Sequence, residues 1–233
     1  GKRVGFGRIP MRPHSLPLVM LGAALLWFGW FGFNAGSAVA SNGTAGLALL
    51  NTIGATTAAV LSWLLVEKIR DGHATSLGAA SGVVAGLVAI TPACAAVNAS
   101  GALIIGFVAG AICALSVGLK FKLGFDDSLD VVAVHLVGGI VGTVMIGFVG
   151  VDVGIFDGGG TEQLVKQVIG VGAVFAYSFI ATMIIGKIID LTIGFRISQD
   201  QEVAGIDLAI HAERAYELSD NGQGSVLGNS KGA

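Results

Sequence analysis

Residues 16–66 contain no charged side chain, and one cluster of small polar residues, Ser41, Asn42, Gly43 and Thr44, interrupts an otherwise apolar run. About 20 such residues span the hydrocarbon of a bilayer, so this stretch reads as two membrane helices joined by a tight turn. The rest of the chain follows the same pattern. Of 233 residues, 54% are hydrophobic and 12% charged, against about 25% charged in an average soluble domain. A water-soluble core has no use for that much apolar sequence. A formal net charge of −2 with no dense basic run gives no support to nucleic acid or to a general acidic partner.

Hydropathy predicts six spans, at about residues 17–40, 44–66, 76–92, 101–119, 131–150 and 164–190. Residues 1–196 therefore read as a transmembrane domain and residues 197–233 as a polar tail without a span. The sixth span is long enough that it must tilt or project beyond the hydrocarbon. Lys2, Arg3, Arg8 and Arg12 precede the first span, Lys68 and Arg70 follow the second, Lys120 and Lys122 follow the fourth, and Lys187, Arg196, Arg214 and Lys231 lie at or after the end of the sixth. The opposite loops, 41–43, 93–100 and 151–163, carry no Lys or Arg, and only Lys166 follows them. The positive-inside rule places both ends in the cytoplasm, as an even number of spans requires. The first residue is Gly1, in a basic segment with no signal peptide, which suggests an internal loop of a longer protein.

Glycine is frequent, 37 residues, and periodic within the apolar segments. Gly78, Gly82 and Gly86, then Gly106 and Gly110, then Gly138 and Gly142, step by four and share one helix face in each segment. Such small-residue faces let membrane helices approach closely. Cys94 and Cys113 have neither metal-site spacing nor a disulfide context and read as small unpaired residues, with Cys94 in an outer loop that is open to thiol reagents unless the loop is packed shut.

His135 lies inside the fifth span, and an ionisable residue there is a functional candidate. At 100° per residue it falls within about 60° of Gly138 and Gly142, so the imidazole is expected to point into the bundle, either at a pore or as a hydrogen-bonding bridge between helices. Asp130 is about 140° away on the same helix. With Asp126 and Asp127 it lies near the start of the span, where carboxylates favour the helix dipole. In the first span Trp30, Phe33 and Ser37 share one stripe. Aromatic faces hold cations and a hydroxyl accepts an N–H, but such rings also serve as packing or interfacial anchors. No nucleophile motif, HExxH-type metal pair or phosphate loop accompanies these residues, so neither an enzyme nor a metal or other cofactor is expected.

The segments Pro10-Met11-Arg12-Pro13-His14-Ser15-Leu16-Pro17-Leu18, Trp30-Phe31-Gly32-Phe33-Asn34-Ala35-Gly36-Ser37, Asn51-Thr52, Thr91-Pro92-Ala93-Cys94, Asp130-Val-Val-Ala-Val-His135, Asp190-Leu-Thr-Ile-Gly-Phe-Arg196 and Glu202-x-x-Gly205-Ile-Asp207 together resemble the ammonium transporters of the Amt/Mep/Rh family, in family order over nearly the whole chain. The resemblance implies an all-α polytopic membrane protein, the six helices being the C-terminal half of an eleven-helix fold with inverted repeats, numbers six to eleven. It further implies a homotrimer in the plasma membrane and one narrow hydrophobic pore per subunit, with ammonium as substrate.

By that likeness His135 matches one of two pore histidines, Phe33 a gate phenylalanine, Ser37 the hydroxyl of an external ammonium site and Trp30 a pore-lining tryptophan. Thr91 matches a pore-adjacent residue, and Asp130 one near the cytoplasmic side. The tail residues Asp207, His211, Glu213 and Tyr216 are implied to be regulatory, through the pore mouth and a PII-type signalling protein, with residues 221–233 disordered. Ala212 stands where the family usually has glycine. The rival readings are an ammonium sensor or receptor, and a channel for another small neutral solute such as urea.

Overall fold

The computed structural model describes residues 1–214, which are helical with no strand among them. Six apolar helices fall where hydropathy predicts spans: α1 (Leu16–Gly36), α2 (Gly43–Asp71), α3 (Ser76–Ile90), α4 (Ala99–Ser116), α6 (Gly138–Val149) and α7 (Glu162–Thr192). A short α5 (Leu119–Leu123) precedes α6, a π-helical segment (Val132–Val137) runs directly into α6, and α8 (Gln199–Ala204) follows α7. Five helices are long and apolar enough to cross a membrane, counting Val132–Val149 as one. The chain is a multi-pass membrane protein. The third predicted span is the exception: α3 has only 15 residues, about 22 Å. It is also heavily buried, and residues 91–96 continue from it as turns in which Ala93 and Cys94 are buried while Pro92 and Ala95 are exposed.

Several ends differ from the hydropathy reading. The first helix stops at Gly36, because Ser37 begins a turn and Val39 takes a left-handed φ of 51°. The second runs on to Asp71, where Gly72 closes it at φ 83°. Side-chain caps set the starts: Ser15, Asn42, Thr75 and Asn98 each accept a backbone N–H three residues on. The last apolar helix, α7, has 31 residues, about 46 Å, and none of them is buried within this chain.

Glycine positions explain how α2, α3, α4 and α6 close on one another. A β-carbon on Gly106 would collide with the backbone of Ala55, one on Gly110 with Ala59 and Ser62, one on Gly82 with Val60, one on Gly86 with Thr56 and one on Gly142 with the backbone of Ala89. Removing that carbon lets α2 lie against α3 and α4, and α3 against α6. Gly78 serves differently. It makes room for the Glu67 carboxylate, which accepts from the Trp63 indole and from the Thr75 backbone and hydroxyl, pinning the end of α2 to the start of α3.

The two ends of the bundle separate as the charge distribution predicts. At one end the 91–98 and 150–161 loops join through the Val97–Gly150 bridge and a Val151 N–H donated to Ala96 O at 3.0 Å. At the other, Arg3 grips Asp126 through its backbone N–H and guanidinium, Val4 donates its N–H to Glu202, and Arg196 donates to Lys2 O and Glu202. The basic N-terminal segment, the loop before α6 and the start of the tail thus share one face.

Candidate pore-lining site

The C-terminal part of α1 carries the first group of candidates. Trp30 and Phe33 meet edge to face, with ring centroids 5.4 Å apart, and the Ser37 hydroxyl donates to Phe33 O at 2.6 Å. That bond commits the only hydroxyl proton of Ser37 and leaves its lone pairs as acceptors. Phe33 and Ser37 are both exposed in this chain. Trp30 is half-buried, and its indole N–H donates to Thr91 Oγ1 at 2.8 Å. Thr91 Oγ1 also lies 2.7 Å from Leu87 O and 3.2 Å from Asn34 Oδ1, and its one proton serves one of these acceptors. The structure therefore brings Trp30, Phe33, Ser37 and Thr91 together.

Sequence reasoning quoted Asn34, Asn51 and Thr52 within motifs but gave them no role. Asn34 is buried and donates to Thr52 Oγ1 at 3.0 Å, and Thr52 in turn donates to Ala48 O. Asn51, also buried, donates both amide protons, to Cys94 O and Val97 O. The signal was available: uncharged polar residues facing a helix bundle inside a membrane act as hydrogen-bonding links. These links hold Thr91 and the loop after it. Cys94 is consequently buried, so the thiol labelling expected of an open loop there is corrected.

His135 stands apart from that group. It occupies the fourth position of the π-helical segment, is exposed within this chain and faces an open groove between this helix and α7. The groove encloses about 1290 Å³ and is apolar apart from His135, Thr143, Ser178 and Thr182 along its length, with Lys187, Asp190 and Arg196 at one end. The expectation that the imidazole shares the close-packed Gly138 and Gly142 face is corrected, since both glycines are buried and His135 is exposed within this chain. That reading assumed 3.6 residues per turn, and a turn closed i→i+5 holds more, so His135 leaves the face that packs on α3.

Asp130 sits at the entrance to this helix with a left-handed φ of 57°. Its carboxylate accepts from Lys120 Nζ at 2.5 Å. Burial pushes its pKa above the ordinary carboxylate value, against the opposing pull of Lys120. The capping role considered for all three acids belongs to Asp127 alone, whose two oxygens accept from Val131 N and Val132 N; Asp126 is taken by Arg3.

In the tail, Asp207 and His211 lie in a π-helical turn (Asp207–His211), and Glu213 donates its N–H to Asp207 O at 3.2 Å. Ala212 takes a φ of 55°, a left-handed conformation that glycine adopts at lower cost. Tyr216 and residues 221–233 lie outside the described residues.

A family model described as Ammonium Transporter Family matches residues 1–216. The chain belongs to the ammonium transporter family. An "Ammonium transporter" of Mycobacterium tuberculosis is 57% identical to it, over 97% of this chain and 50% of that protein. "Ammonium transporter Amt1" of Archaeoglobus fulgidus is 44% identical, over 93% and 56%. Among solved structures, Candida albicans Mep2 superposes with a TM-score of 0.77 at 37% identity, covering 84% of this chain and 46% of that one. A "Sensor Amt Protein" gives 0.78 at 32% identity, covering 84% and 49%. This family member spans about half the length of the curated relatives it matches.

Proposed function

We propose that this chain supplies one half of the wall of an ammonium-conducting pore, corresponding to helices six to eleven of the family fold, and that the remaining wall comes from the half its relatives carry in addition. The observation that carries the reading is an imidazole, His135, exposed within a membrane span on a largely apolar groove whose charged residues lie at one end. A full cation in hydrocarbon costs several kcal/mol or more, so a selective pore gains by stripping the proton at its mouth. Phe33 and Trp30 offer aromatic faces to the cation, and the outward lone pairs of Ser37 accept its N–H. Neutral ammonia then passes through the apolar pore, where His135 and the second histidine supply N–H and lone-pair contacts. Thr91 holds Trp30 in place, while Asp130 lies beyond the other end.

The working form is a homotrimer in the plasma membrane with the basic ends cytoplasmic. Its tail from residue 197 meets the cytoplasmic face through Glu202 and offers Asp207, His211, Glu213 and Tyr216 to a PII-type protein. A chain of the relatives' full length containing these residues, reconstituted in liposomes, should take up methylammonium, with uptake competed by ammonium. Specific ammonium binding without uptake would favour the sensor reading instead, which the likeness to the "Sensor Amt Protein" keeps in view.

A further inference from the structure

The geometry points to Asp127 as a positioning residue for His135: with Lys120 and Asp130 it forms a clamp that sets the phase of the π-helical turn and so the direction of the imidazole. This inference rests on the reading of His135 as a pore residue.

A helix start leaves backbone N–H groups without intrahelical partners. Here one carboxylate takes two of them, Asp127 Oδ1 from Val131 N at 3.0 Å and Oδ2 from Val132 N at 2.8 Å. The same few residues are held from outside by a single cation. Lys120 Nζ donates to Asp127 O at 3.0 Å and to Asp130 Oδ1 at 2.5 Å. Asp130, at its left-handed φ, turns the chain so that its own carbonyl accepts from Val134 N at 2.9 Å. His135 is the next residue.

Below this clamp the helix has a second fixed point, since Gly142 lies against the Ala89 backbone and Gly138 beside Cys113. Between two fixed ends a π-helical turn accommodates one residue more than an α-helical path would. If the upstream end is released, the turn can relax to α geometry, rotating the residues before it by about 100° relative to α6. His135 would then leave the groove while the glycine packing stays intact.

The test uses the full-length chain in its assembled form, with three readouts: methylammonium flux, thermal midpoint, and hydrogen–deuterium exchange at the C2 position of individual histidines followed by mass spectrometry. Asp127→Ala removes both capping bonds, whereas Asp127→Asn keeps one acceptor. The expected result is a change in His135 exchange in Asp127→Ala with other histidines unaltered, a smaller change of the same sign in Asp127→Asn, and flux lowered about a hundredfold or more in the alanine variant, since a displacement of only about 1 Å already costs that much at a reacting centre. Should Asp127→Ala fail to assemble, Asp127→Asn decides by the same exchange readout. Unchanged His135 exchange in a folded Asp127 variant overturns the positioning role. Unchanged flux and selectivity in His135 variants would instead overturn the pore reading, while the exchange result would still judge the clamp.

Discussion

The indole N–H of Trp30 donates to Thr91 Oγ1 at 2.8 Å and so ties the C-terminal half of α1 to the cap of α3. Thr91→Val keeps the shape but leaves the indole without an acceptor, at a cost of about 1–3 kcal/mol, whereas Thr91→Ser retains the bond. The valine variant should therefore show a lowered thermal midpoint and weaker ammonium competition in uptake assays, with the serine variant close to wild type. Equal behaviour of the two would show that the bond does not hold the mouth.

Gly106 and Gly142 face backbone, but Gly170 has open space around it within this chain. Overpacking a tight contact costs about 1–3 kcal/mol or more. Gly106→Ala and Gly142→Ala should reduce folded yield and thermal midpoint in detergent. Gly170→Ala tests the open groove: a similar loss there would show that the complementary half packs closely against that face of α7.

Asp130 combines a left-handed φ with a raised pKa. Asn adopts this conformation at lower cost than Ala, so Asp130→Ala should be less stable than Asp130→Asn by about 1 kcal/mol. The pH dependence has a definite sign. A carboxyl whose folded pKa exceeds its unfolded one contributes stability that is complete below the unfolded value and is lost as pH rises through the folded value. Wild type should accordingly lose stability relative to Asp130→Asn as pH rises through and above the ordinary carboxylate range. The opposite slope would mean that Lys120 outweighs burial.

Topology is testable with introduced cysteines, because native Cys94 is buried and should stay silent. Phe156 and Leu123 are both well exposed, 74% and 72%, and lie in segments between spans, Leu123 at the end of α5, that the charge distribution assigns to opposite sides. In intact cells an impermeant thiol reagent should label Phe156→Cys, and should reach Leu123→Cys only after permeabilisation. The reverse pattern would invert the orientation.

Much of the fold was legible because membrane burial writes itself into composition: six apolar segments, the loop charges and the glycine spacing each have a physical reading independent of tertiary detail. Trp30, Phe33 and Ser37 were likewise recoverable from helical spacing. What failed was whatever departed from a straight helix. The direction of His135 depends on a π-helical turn held by Asp127, and no periodicity signals that turn. The burial of Cys94 follows from Asn51, whose two amide protons reach carbonyls more than forty residues away in sequence. The end of α3 at Ile90 is set by the turns of residues 91–96, which hydropathy does not register.

The most direct measurement concerns His135 itself. Purified full-length protein carrying His135→Gln or His135→Ala, with its oligomer verified, is reconstituted, and ammonium or methylammonium flux is recorded beside potassium flux. A pore imidazole predicts that both variants assemble, since the Gly142 contact with α3 is untouched. Ammonium flux or its discrimination from potassium should then change strongly, and the alanine variant should admit ions through a hydrated path. Normal ammonium flux with normal rejection of potassium in both variants would contradict a role for His135 in conduction.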